Sequence, residues 1–258
     1  MNIVITAGGT SEAIDGVRTI TNMSTGKLGA TICNTFLENA PINDKINVIY
    51  YICTKKSVKP NDNSKIVYIY IEGVRDLEAE VKNLLAQVPI DWFIHSMAVS
   101  DYYVDYLANI DSLASEIEKY FIDRLSRRIP ESICNTITRT LKYPENTIDN
   151  ETKVSSDNDD MIIKLTKAPK VISIIKEIQP TIRLIGFKLL NNVSENELVD
   201  VAYDLLLKND CEYVIANDIK EIRKGTHTAL LIDENKNIRY MRDKEDIAFQ
   251  LARILFNS

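Results

Sequence analysis

Short apolar runs alternate with one-sided helical stripes along this chain, and that alternation constrains its fold more than any other feature. The runs "NIVIT", "INVIYYI", "KIVYIYI", "WFIH", "RLIGF" and "EYVIA" have the length and continuous apolar character of strands buried on both faces. Between them, Leu28, Ile32 and Phe36 recur at fourfold spacing, Leu77, Val81, Leu84, Leu85 and Val88 form a second stripe, and "SENELVDVAYDLLLK" a third. The pattern predicts an α/β chain built on a doubly wound, mostly parallel sheet. Late in the chain, "TALLID" and "IRY" joined through "ENKN" predict an antiparallel pair, and "EDIAFQLARILF" a closing helix. At 258 residues the expectation is one domain, 1–258, carrying an insertion.

The insertion, at about 105–152, is where the rhythm breaks. Leu113, Ile117, Phe121, Leu125 and Ile129 make an amphipathic stripe across "DSLASEIEKYFIDRLSRRIP", and the polar "YPENTIDNETKVSSDNDD" follows. This predicts an inserted helix and then a mobile loop or flap. The stripe suits an ordinary packing face, with a dimer contact or a lid as alternatives. The regular pattern resumes with "MIIKLTKAPKVISIIKEIQP", a strand and a helix separated by Ala168 and Pro169.

A formal charge of -6 disfavours nucleic acid as a partner, since phosphate neutralisation needs clustered Lys and Arg. Cys33, Cys53, Cys134 and Cys211 lack close-paired spacing, and His95 and His227 are far apart, so neither zinc nor a disulfide framework is expected. Met1 leads straight into "NIVIT", and no run reaches the roughly 18 apolar residues of a membrane span. The expectation is a cytoplasmic protein with reduced thiols and a small-molecule substrate.

The first strand runs into "ITAGGTSEAIDGVRTITNMSTGKLG". A glycine-rich turn between a buried strand and a helix turns backbone N–H groups toward an anion, with the helix dipole adding to them. Arg18, Asn22, Ser24, Thr25 and Lys27 add anion-binding side chains, although Gly8 and Gly9 would also serve a plain tight turn. Two familiar phosphate loops do not fit. Leu28 stands where a mononucleotide loop needs a hydroxyl, and "GGTSEA" lacks the G-x-G-x-x-G spacing. Thr54, Lys55 and Lys56 also end the second strand where a ribose-binding acid belongs. What remains is a Rossmann-like topology with another phosphate grammar.

"TAGGTSEAIDGVRTITNMSTGKLGA" closely resembles the opening signature of the phosphopantothenoylcysteine synthetases. The match continues in family order through "HSMAVSDY", "KVSSD", "LTKAPKVI", "IGFKLL" and "VIANDI". The resemblance, of the free-standing bacterial type, implies a ligase of coenzyme A biosynthesis. Such a ligase joins 4′-phosphopantothenate to L-cysteine with CTP and Mg2+ through an acyl-cytidylate, releasing CMP and pyrophosphate. It also implies a homodimer and a functional link to a separate decarboxylase. By the same resemblance, Asn22 and Lys153 are catalytic, the lysine on a mobile loop, and Gly8, Gly9, Thr10 and Arg18 join Asn22 in holding the substrate. Met97, Ala98, Val99, Asp101, Lys153, Lys167, Ala168, Pro169, Phe187 and Lys208 are implied at the nucleotide, with core packing as the alternative for Phe187. The metal ligands are unassigned. Lys208 matches one of two lysines a helical turn apart and Asp204 stands at the other position, which keeps ATP as the alternative triphosphate. Asn217 is expected to hold loop geometry or line the site. Ser96 and Ser100 lie outside any G-x-S-x-G elbow, and His95 reads as structural. The other readings are a nucleotide-linked oxidoreductase and a catalytically silent phospholigand-binding protein on the same fold.

Overall fold

The computed structural model describes residues 1–127, 132–156, 160–220 and 228–256. The chain runs β1 (Asn2–Ala7), a hairpin of β2 (Ser11–Ala13) and β3 (Thr19–Thr21), α1 (Lys27–Glu38), the single turn α2 (Ala40–Asn43), β4 (Val48–Cys53) and β5 (Ile66–Tyr70). It continues through α3 (Val74–Gln87), β6 (Trp92–His95), β7 (Tyr102–Asn109), α4 (Ile110–Arg127), α5 (Ile133–Lys142) and β8 (Met161–Lys167). The last part comprises α6 (Val171–Ile178), β9 (Arg183–Leu190), α7 (Glu195–Asn209), β10 (Tyr213–Asp218), β11 (Ala229–Asp233), β12 (Ile238–Met241) and α8 (Lys244–Phe256). These elements divide into two compact units, one of residues 1–11, 21–101 and 169–258, the other of 12–20 and 102–168.

The larger unit holds an eight-stranded sheet ordered β12-β11-β10-β9-β6-β1-β4-β5. The six strands from β10 to β5 are parallel, and β11 and β12 add the expected antiparallel pair. Ile3, Val4, Ile5 and Ala7 of β1 are fully buried, as are Phe93 and Ile94 of β6, because helices cover both faces of the sheet centre. On one face α1 buries Ile32, Cys33 and Phe36 against Ile247, Leu251 and Phe256 of α8, with Phe36 and Phe256 edge to face at 5.4 Å. The second stripe forms α3, which buries Val74, Leu77, Val81, Leu84 and Leu85 and packs on α6. At the "ENKN" turn, Asp233 accepts the backbone N–H groups of Asn235 and Asn237 at 3.0 and 2.9 Å. Among the described residues no helix is long and apolar enough to cross a membrane.

The smaller unit departs from the expected helix and loop. Its β7 and β8 form a two-stranded antiparallel ribbon, so "MIIKLTK" pairs with Tyr102–Asn109 and does not join the main sheet. The reason lies in β8 itself: its outward residues Ile163 and Leu165 are 37% and 46% exposed, whereas a central strand is covered on both sides. Asn109 starts α4 by accepting the N–H groups of Asp111 and Ser112. Leu113 of the predicted stripe is buried but Leu125 is exposed, and Ile129 and His227 lie outside the described residues. A second helix, α5, follows in the Thr-rich "ICNTITRTLK", where Thr136 and Thr140 are buried. The loop after it is tied by the buried Glu116, whose carboxylate accepts the N–H of Glu145 at 2.9 Å, and by Ile148 N–H donating to Leu107 O at 2.7 Å.

Candidate active site

The strand order reverses direction between β1 and β6, the point where open α/β sheets receive ligands at strand C-terminal ends. Here the two outgoing loops are laced together. Ala98 N–H donates to Gly8 O at 2.8 Å, and Ala98 O accepts Thr10 N–H at 3.1 Å. The Thr10 hydroxyl donates to Ser100 Oγ at 3.0 Å while accepting Ser100 N–H at 2.9 Å. Asn22, brought back to this edge after β3, donates from Nδ2 to Ala98 O at 3.1 Å, and its backbone N–H donates to Thr10 O.

Two glycines make this approach possible. Gly8 has φ +92°, and a Cβ there would lie 2.0 Å from Ser57 Oγ. A Cβ on Gly9 would lie 2.5 Å from the Asn22 carbonyl oxygen. Gly9 therefore seats Asn22, beyond the turn role available to any loop glycine, while Gly8 makes room for Ser57. The helix that follows opens with Lys27, and Gly29 lets it lie close on Ala7. The close packing that a dinucleotide fingerprint provides is present, but an excursion through residues 12–20 separates its glycines in sequence.

Thr6 and His95 form the floor below. Thr6 Oγ1 accepts Met97 N–H at 3.2 Å and lies 3.0 Å from His95 Nδ1. Burial pulls the His95 pKa down to about 4, so the ring is neutral and structural at neutral pH. Met97 is buried, and the backbone groups of Ala98 are already engaged by Gly8, Thr10 and Asn22; Val99 is half-buried. Asp101 is exposed and pairs with Lys170, a residue missed in the sequence although it directly follows the Lys167-Ala168-Pro169 segment. α8 starts at this same edge, because β12 runs in the direction of β10. Its Lys244 has a lowered pKa, from burial first and then from the neighbouring Lys27.

Phe187, on β9 beside Ile215, packs against the hydrophobic core as a partly buried ring. Asn217 donates to Thr228 O at 3.1 Å, holding local loop geometry. Lys208 is not brought to the site. Helix α7 connects parallel strands β9 and β10 and must run against them, so its last turn falls at their N-terminal edge, where Glu212 N–H donates to Leu184 O. That edge is on the order of 20 Å from the strand C-terminal ends, the length of a strand such as β9.

The smaller unit holds the other predicted residues. Arg18 gives Nε and Nη2 to Asp15 Oδ2, so this edge of its fork is turned to a neighbour, while the side chain as a whole stays 46% exposed. Asp15 is buried and also accepts the N–H groups of Val17, Arg18 and Val154. The Arg18 guanidinium and these N–H groups hold its carboxyl well below the usual carboxylate range. Lys153 is exposed, immediately before the buried Val154. Lys167 is exposed at the end of β8, and Ala168 is buried beside it; Pro169 opens the return to the larger unit. Asp15 was also missed by sequence reasoning; its signal was the turn spacing Asp15-x-x-Arg18.

The family model described as the DNA/pantothenate metabolism flavoprotein C-terminal domain matches residues 1–112 and 143–257. The chain belongs to this family. The segment the flavoprotein C-terminal domain model passes over, 113–142, holds most of α4 and all of α5. A crystal structure of the DNA/pantothenate metabolism flavoprotein from Streptococcus pneumoniae is 33% identical, covers 99% of this chain and 98% of its own, and superposes with a TM-score of 0.77. The coenzyme A biosynthesis bifunctional protein CoaBC of Thermococcus kodakarensis is 25% identical over 94% of the chain and 48% of its own length. The chain thus spans about half the length of the curated relatives it matches. A Cab2 variant in complex with phosphopantothenate-cysteine shares the fold, at a TM-score of 0.65 and 16% identity over 99% of this chain and 86% of that one.

Proposed function

We propose that this chain ligates 4′-phosphopantothenate to L-cysteine in coenzyme A biosynthesis, with CTP as the activating triphosphate. The observation that carries the reading is the Asn22 amide seated on Ala98 O at the sheet's switch point, in a member of a family whose relatives are named for coenzyme A biosynthesis. In the proposed first step the substrate carboxylate oxygen attacks the α-phosphorus, and the bond to pyrophosphate breaks. The cysteine amine then attacks the acyl carbon, the C–O bond to the nucleotide breaks, and the amine proton leaves to solvent. Asn22 suits the acyl centre because an amide donates to an oxyanion without titrating. Lys153, within the polar 143–156 stretch, suits the triphosphate as a point charge.

Magnesium belongs to the proposal as a companion of the triphosphate. Among the described residues no group of three or more His, Cys, Asp or Glu could hold a metal, and Asp101 is already paired with Lys170. These residues do not form a metal cage, and no step is assigned through one. A homodimer and a separate decarboxylase partner are part of the same reading. Parallel turnover with CTP and with ATP, followed by pyrophosphate release, tests it. Preference for CTP is expected; equal or better use of ATP would overturn the choice of triphosphate.

A further inference from the structure

We propose that Asp15 is the positioning residue for Lys153, a buried carboxylate that pins the backbone on which this lysine stands. The inference rests on the reading of Lys153 given above. Asp15 Oδ2 accepts the Val154 N–H at 3.1 Å, within a buried contact that joins residues 139 positions apart. Three further bonds flank it. Gly16 N–H donates to Thr152 O at 3.3 Å, Asn150 Nδ2 donates to Ile14 O at 3.1 Å, and Arg18 Nη2 reaches Val154 O at 3.5 Å. Lys153 therefore has both neighbours tied to the 14–18 turn, while its own side chain is exposed. A Cβ on Gly16 would stand 3.0 Å from Glu151 O, so the turn and the 150–154 strand of loop are in tight contact.

A carboxylate is suited to this task. It accepts from the Val17, Arg18 and Val154 N–H groups and from the Arg18 fork at once, and a neutral amide in its place would present a donor to one of them. The pin lets a long, flexible side chain work from a fixed root, so that only the lysine's own rotamers are ordered when a polyanion arrives.

Hydrogen exchange on the full chain, read together with ligation kinetics, tests the proposal with Asp15→Asn, Lys153→Ala and the double variant. Exchange at the Val154 amide is expected to speed up at least about tenfold in Asp15→Asn, the scale of one charge-assisted bond, with β1 and β6 amides unchanged. Asp15→Asn is expected to show the same division between kcat and the KM for triphosphate as Lys153→Ala, and the double variant to be no slower than Lys153→Ala. Unchanged Val154 exchange, or losses that multiply in the double variant, would overturn the proposal. Full activity in Lys153→Ala would overturn the role of Lys153 and with it the catalytic purpose of the pin, while faster Val154 exchange would still uphold the pin itself. Should Asp15→Asn not fold, Arg18→Gln carries the same exchange test, with a smaller gain expected and no gain overturning it.

Discussion

The side-chain amide of Asn22 and the carbonyl oxygen of Ala98 are joined by a 3.1 Å hydrogen bond, which ties the chain returning from β3 to the loop that leaves β6. Asn22 is half-buried, so its removal is expected to leave the fold largely intact. Asn22→Ala is expected to lower kcat by about 10²–10³, the scale of losing one oxyanion donor, and to let the acyl-nucleotidylate accumulate. Quenched-flow mass spectrometry reads both effects. A variant with native kcat would remove Asn22 from the catalytic step.

Gly9→Ala places a methyl group where the Asn22 carbonyl stands, and neither main chain can yield cheaply. Destabilisation of about 1–3 kcal/mol is expected from the overpacking, together with weakened substrate binding. Urea denaturation followed by circular dichroism measures the first. Unchanged stability would mean the loop shifts freely and does not seat Asn22.

Lys170 and Asp101 are both largely exposed, at 55% and 68%. Such a pair contributes no more than about 1 kcal/mol to folding. Lys170→Ala is therefore expected to melt within a few degrees of the native protein yet to raise the KM for triphosphate, as a cation lost from the strand C-terminal edge would. An unchanged KM places Lys170 outside the nucleotide's reach.

His95 links stability to pH. Its folded pKa, about 4, lies below the unfolded value near 6.5, so the unfolded chain binds the extra proton between these limits. Its contribution is complete above pH 6.5 and is lost as pH falls toward 4, by at most about 3 kcal/mol. Comparing the native protein with His95→Gln across this window isolates the effect, since the glutamine cannot titrate. Identical pH slopes would show that the ring protonates equally in both states.

The main sheet was legible because its strands are covered on both faces, which writes them as unbroken apolar runs such as "NIVIT" and "WFIH". The ribbon of β7 and β8 was not, since β8 alternates between half-buried and exposed residues and reads equally as another strand of the same sheet. Helix α5 was hidden by its threonines, poor helix formers that Thr136 and Thr140 offset by burial. At the site, Gly8, Gly9 and Asn22 announce themselves within one short segment. Lys170 does not, because its partner Asp101 lies 69 residues away; the local Asp15-x-x-Arg18 spacing marks a turn, but the contact of Asp15 with Val154, 139 residues on, exists only in the folded chain. For Lys208, a place on a motif says nothing about which edge of the sheet the last turn of α7 reaches, and only the strand directions fix it.

The most direct measurement is the identity of the product. The purified chain, supplied with 4′-phosphopantothenate, L-cysteine, CTP and magnesium, is predicted to yield phosphopantothenoylcysteine by mass spectrometry, with one pyrophosphate and one CMP released per amide formed. Absence of the amide with both CTP and ATP, from a folded chain that still binds phosphopantothenate, would contradict the ligase reading and leave the Gly8–Asn22–Ala98 arrangement as a binding site alone.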